Sequence, residues 1–169
     1  MTGDPIERLK ANVVDDAASA SWEALFERAQ TMRSAWEDAS AGLTPADAPA
    51  GPQDGDWSPW HLLNHVGAWL ENATNALGRA TAAGSTDLGS DQAFYADDPS
   101  FAEAASRVAE FVGRFVAQVE TCDAGIDDDV RVVHRILGPL NAREYTVFTM
   151  WHVGTHTEQM REMRGLAVR

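Results

Sequence analysis

Apolar residues recur along this chain at intervals of three and four, the spacing of one face of an α-helix. Ile6, Leu9, Val13, Ala18, Trp22, Leu25, Ala29, Met32 and Trp36 form the first such stripe and predict a helix over 5–40. Asp4 is its N-cap and Pro5 takes the first helical position. The repeat is weakest over 13–21, where an interruption would fall. Leu62, Val66, Trp69, Ala73, Ala76 and Ala80 predict a second helix, reaching to about residue 83. Ser58 caps it, Pro59 opens it, and Trp57 stands one residue before the cap, placed to staple onto Leu62. The third stripe is Phe101, Ala104, Ala105, Val108, Phe111, Val112, Phe115 and Val119; Ser100 and Glu103 make a capping box in front of it, and it ends near residue 120. A second box, Asn141 with Glu144, opens the fourth helix, which ends near residue 165. Its inward stripe passes through Phe148, Trp151, Thr155 and Met163, with His152, His156 and Gln159 on or beside it.

Breaker-rich connections separate these stripes. Residues 42–56 hold three prolines and three glycines, and 84–98 are similarly polar, so both read as loops. The connection over 122–140 is long, and VRVVHRILG within it fits a short strand, a helical turn or an extended cover. Four helices around one core predict an all-α fold, a four-helix bundle with long loops, as a single domain over 1–169.

A hydrophobic fraction of 44% and a charged fraction of 23% are ordinary for a globular domain. The net charge of −13 changes the picture more. A surface this acidic repels phosphate backbones and anionic lipid, which argues against nucleic-acid and membrane partners. The N-terminal residues lack the apolar run of a signal peptide, and no stretch approaches the ~18 apolar residues of a membrane span. Cys122 is the single cysteine, so no disulfide framework exists and a cytoplasmic location is expected. Cys122 itself reads as an inert thiol.

Candidate chemistry sits on the histidines. Four of the five form two i, i+4 pairs, His61 with His65 and His152 with His156. Residues four apart on a helix project from one face, so two such pairs can offer several imidazoles to one ion. The second pair lies on or beside the buried stripe, and buried imidazoles require a hydrogen bond or a metal. His65 neighbours Val66 and Trp69 on the core side; His61 lies further round, toward the rim. His134, in the third connection, reads as solvated or locally hydrogen-bonded. Trp57, Trp60 and Trp69 cluster around His65 and suit the walls of a small-molecule pocket. Gln159, one turn beyond His156, is placed to orient a ligand or substrate, and His61 or Glu158 to move protons.

Two segments carry a resemblance to a known family. DWSPWHLLNHVGAW, residues 56–69, and WHVGTHTEQM, residues 151–160, resemble the motifs that open the second helix and fill the last helix of the DinB-like (DinB/YfiT) superfamily. The resemblance implies a four-helix bundle holding a divalent metal, with His65, His152 and His156 as ligands and no assigned role for His61. Zinc is the first expectation, with nickel or iron as alternatives and copper also accepted by nitrogen ligands. Characterised members of the family include thiol-dependent transferases and isomerases using bacillithiol, mycothiol or glutathione, and proteins that protect their hosts from reactive natural products.

Together these point to a metal-dependent enzyme acting on a small electrophile, of the low-molecular-weight-thiol S-transferase type and serving detoxification. The alternatives are a metal-dependent hydrolase, a protein that sequesters small molecules without a thiol cosubstrate, and a non-catalytic helical module. A homodimer is a further expectation, since exposed helix faces of such bundles often pair.

Overall fold

The computed structural model describes residues 4–47, 57–81, 99–122, 126, 131–134 and 136–167. Residues 48–56 of the loop expected over 42–56, the loop expected over 84–98, and the end expected for the second helix at 82–83 fall outside these residues.

Within them the chain forms helices α1 (Pro5–Ser19), α2 (Trp22–Ser40), α3 (Pro59–Thr81), α4 (Phe101–Glu120) and α5 (Ala142–Met163), with a hairpin of strands β1 (Arg131–His134) and β2 (Gly138–Asn141) before the last helix. Each of α2, α4, α3 and α5 packs on the next in that cyclic order, and α5 closes the bundle against α2. The outer face of α5 receives α1. No helix among the described residues is long and apolar enough to cross a membrane.

One helix was expected over 5–40, with any interruption at 13–21; the chain does turn within that patch, at Ala20 and Ser21, both extended. Val13 and Ala17 are buried four residues apart, and the next buried position is Trp22, five further on. That step breaks the helical phase, which a new helix restores through Leu25, Ala29, Met32, Trp36 and Ala39. Ala17 is therefore the inward residue, Ala18 is exposed, and Ile6 is 42% exposed. Ser21 caps α2 by accepting from the Ala24 amide at 3.2 Å. Two arginines hold the corner. Arg28 donates both ends of its guanidinium to Asp16, at 2.9 and 2.7 Å. Arg143 lies over Trp22 and donates to the Ala20 carbonyl at 2.6 Å.

Both predicted capping boxes form, Ser100 with Glu103 and Asn141 with Glu144. The predicted stripe of α3 is buried in full, joined by Leu63, Leu70 and Leu77, and Trp36, Phe115, Tyr145 and Leu62 are among the side chains that fill the centre.

The inward face of α5 is rotated from the expected one. Phe148 is buried, but Trp151 is 48% exposed and Thr155 lies in solvent. Thr146, Thr149, Val153, Thr157 and Met160 occupy the interior instead. Threonine is tolerated there because its hydroxyl can satisfy itself on the helix. Thr146 donates to the Ala142 carbonyl and Thr157 to the Val153 carbonyl, each at 2.8 Å. His152 and His156 consequently sit on the flank of the buried face, half-buried, and not at its centre.

Of the three readings left open for the third connection, the strand holds. The antiparallel register pairs Val132 with Leu140 and His134 with Gly138. Val132 and His134 point inward while Val133, between them, is 62% exposed. Gly138 takes φ +73°, a left-handed conformation that glycine adopts without strain. Strand β2 ends on Asn141, the N-cap of α5, so the hairpin is joined to the first turn of that helix without an intervening loop.

Candidate metal centre

His65 lies on α3 and His152 and His156 lie one turn apart on α5, the neighbouring helix. The bundle brings all three rings together. The Nε2 atoms of His65 and His152 are 2.8 Å apart. The ring centroids stand 5.0 Å apart for His65 and His152, 4.8 Å for His65 and His156, and 4.6 Å for His152 and His156. One nitrogen from each of the three lies within 4.8 Å of the other two, and no Cys, Asp or Glu joins the cluster among the described residues. Nitrogens around a tetrahedral ion at about 2.0–2.1 Å stand about 3.3 Å from each other, inside the span these rings already cover.

Burial lowers the pKa of two of the three rings. His65 is 5% exposed. The pKa of His152 is pushed down to about 2, first because burial disfavours the imidazolium and then because His156, His65 and His134 would repel its charge. His156 is also lowered by burial, partly offset by its bond to Gln159. His152 and His156, held neutral at pH 7, can take a metal with no net loss of a proton. His156 Nδ1 lies 3.0 Å from Gln159 Oε1, an acceptor, which places the ring proton on Nδ1 and leaves Nε2 as the donor nitrogen. Gln159 therefore orients His156 itself.

Two tryptophans wall the triad. The ring of Trp57 stacks on His156 at 5.1 Å and meets His65 edge-on at 4.5 Å. Trp69 stacks on His152 at 4.1 Å with an interplanar angle of 28°. Trp60 is occupied otherwise: its indole N–H donates to the Pro99 carbonyl at 3.0 Å, tying the start of α3 to the start of α4, and its ring meets His61 edge-on.

His61 stays apart from the cluster. Its Nδ1 lies 2.8 Å from Ser58 Oγ and accepts from the Ser58 amide at 3.2 Å, so it serves the first turn of its own helix. Glu158 forms an ion pair with Arg161 at 3.6 Å. Cys122 is buried and donates its thiol to the Gln118 carbonyl.

His134 is the residue the sequence undervalued. It is locally hydrogen-bonded, one of the two expected states, yet only 4% exposed. Its Nδ1 accepts from the amides of Ile136 and Leu137 at 3.3 and 3.0 Å. Its ring lies edge-on to Trp69 at 5.6 Å and to Phe148 at 4.8 Å. Alternation along RVVH, which puts residue 134 on the same face as Val132, was the available signal.

A helical bundle that gathers three imidazoles from two adjacent helices defines a class of candidate metalloprotein. The DinB superfamily model matches residues 28–160, and the chain belongs to that superfamily. Among solved structures the fold is similar to YfiT from Bacillus subtilis, a probable metal-dependent hydrolase with an unusual four-helix bundle topology. The two share 12% sequence identity with a TM-score of 0.64, over 86% of this chain and 89% of that one. No curated protein matches the sequence.

Proposed function

We propose that the chain is a metal-dependent enzyme of the hydrolase-like kind, holding one divalent ion, zinc first, on the Nε2 atoms of His65, His152 and His156. The reading is carried by the three converging imidazoles, two of which, His152 and His156, burial holds neutral. The superfamily membership and the likeness to YfiT support it. A divalent ion at this point supplies Lewis-acid activation, lowering the pKa of a coordinated water or thiol toward neutrality. The chain's own residues supply the rest. Three uncharged ligands leave the ion's full positive charge available to an anionic fourth partner. Trp57 and Trp69 flank the rings with flat apolar surfaces, suited to a small substrate and to excluding bulk water.

A second reading, transfer of a low-molecular-weight thiol to a small electrophile in detoxification, draws on a different observation. No Asp or Glu lies among the candidate ligand atoms of the described residues, so the ion would keep its charge for an anionic thiolate. Metal analysis of untagged protein tests the common part: one equivalent of divalent metal is expected, and none bound tightly on titration sinks both readings. Turnover of activated esters and of model epoxides, each with and without bacillithiol, mycothiol or glutathione, then separates them. Thiol-independent hydrolysis supports the first, and strict thiol dependence the second.

A further inference from the structure

We propose that the β1–β2 hairpin is a positioning element of the metal centre, acting through His134 and Trp69 to hold the ring of His152. The inference rests on the metal reading for its consequence and on the packing for its geometry.

The chain of contacts starts at the turn. His134 is paired with Gly138 across the hairpin, and its Nδ1 takes both amides of the turn, Ile136 and Leu137. With Nδ1 an acceptor, the neutral ring carries its proton on Nε2, and the ring's plane is fixed by backbone on the same hairpin. The hairpin is fixed in turn: both strands pack on α5, and β2 runs into the cap of that helix. His134 is thus tied to the helix that carries His152, although 18 residues separate them in sequence.

Trp69 comes from the adjacent helix, α3. His134 and Phe148 each meet it edge-on at 5.6 Å, Tyr145 lies 6.3 Å away, and its indole N–H donates to Thr149 Oγ1 at 3.4 Å. Held this way, Trp69 presents its face to His152 at 4.1 Å. An indole has two side-chain torsions, and edge contacts with other rings are what choose among their values. Removing His134 takes away one such contact and leaves the stack on His152 less constrained. Residues that orient metal ligands typically alter affinity by 10–100-fold when replaced.

The test compares His134→Ala with His134→Asn. The Asn carboxamide oxygen occupies nearly the place of Nδ1 and can accept the two turn amides, but it brings no ring to Trp69. Zinc affinity by chelator competition, the visible spectrum of the cobalt(II) form, and thermal unfolding of the metal-free protein are read for each. The expected result is that His134→Asn recovers unfolding temperature relative to His134→Ala, yet both bind zinc at least tenfold more weakly and shift the cobalt spectrum. Recovery of affinity and spectrum by His134→Asn, or no loss in either variant, overturns the proposal. Should the His134 variants fail to fold, Trp69→Phe gives the same readout: weaker zinc binding by the folded variant is expected, and native affinity overturns it. Wild-type protein that binds no metal defeats the proposed function instead. The ring proton resonances of His152 in metal-free protein then decide the positioning role, which a shift in His134→Asn supports and identical positions refute.

Discussion

The two H-x-x-x-H pairs have the same spacing and opposite fates. His152 and His156 stay together, 4.6 Å between centroids, one turn apart in the middle of α5. His61 and His65 separate: His65 turns into the bundle and joins the other pair, while His61 bonds back to Ser58. The difference is place within the helix. A residue in the first turn has unsatisfied backbone amides and a cap beside it, and these compete for a polar side chain. A turn later every amide is occupied, and tertiary neighbours decide. Spacing identifies a shared face; distance from the helix start determines what the face is used for.

The sharpest way to break this contrast is to remove one histidine from each pair. His152→Ala should abolish tight metal binding, a loss of more than 100-fold on zinc titration, whereas His61→Ala should leave the affinity within a few-fold of wild type. Equal losses would mean that His61 is a ligand. Next in size is Gln159→Leu, which frees the Nδ1 proton of His156; an approximately tenfold weaker affinity is expected by chelator competition, with little change in unfolding temperature. His61→Ala has its own smaller effect, a destabilisation of about 0.5–1 kcal/mol by denaturant unfolding of the metal-free protein, because Ser58 loses its partner.

The smallest effect lies far from either pair and serves as the control. The hydrogen bond from Arg28, aided by its charge, holds the Asp16 carboxyl below its ordinary pKa. A depressed acid stabilises the fold above the unfolded pKa, about 3.9, and that contribution fades as pH falls through the lower folded value. The two side chains are 43% and 41% exposed, so solvent screening limits it to about 0.5 kcal/mol. Asp16→Asn should therefore lower the unfolding temperature slightly at pH 7, approach wild type as pH falls through the lowered carboxyl pKa, and leave zinc binding untouched.

Much of this fold was legible in the sequence because caps and stripes agreed. Ser100 with Glu103 and Asn141 with Glu144 marked helix starts that the structure reproduces, and the apolar stripe of α3 is buried as written. The corner at Ala20 was missed as a definite break because a single five-residue step between Ala17 and Trp22 is easily absorbed into an average repeat. The rotation of α5 was hidden by Thr146, Thr149 and Thr157, which read as polar but bury themselves on backbone and indole partners. The convergence of His65 with His152 and His156 was anticipated from resemblance more than from spacing, since only tertiary packing brings α3 beside α5. His134 escaped because its burial depends on a strand too short to assert a periodicity.

The contact between His65 and His152 joins residues 87 apart in the chain. A covalent link closing a loop of that length would remove about 4–5 kcal/mol of unfolded-state entropy. With one cysteine the chain has no such link available. An ion gripped from α3 and α5 together would serve as a reversible clasp in its place. Its departure would show as a lower melting point and as faster amide exchange along both helices, so occupancy could be followed by fold stability before any substrate is known.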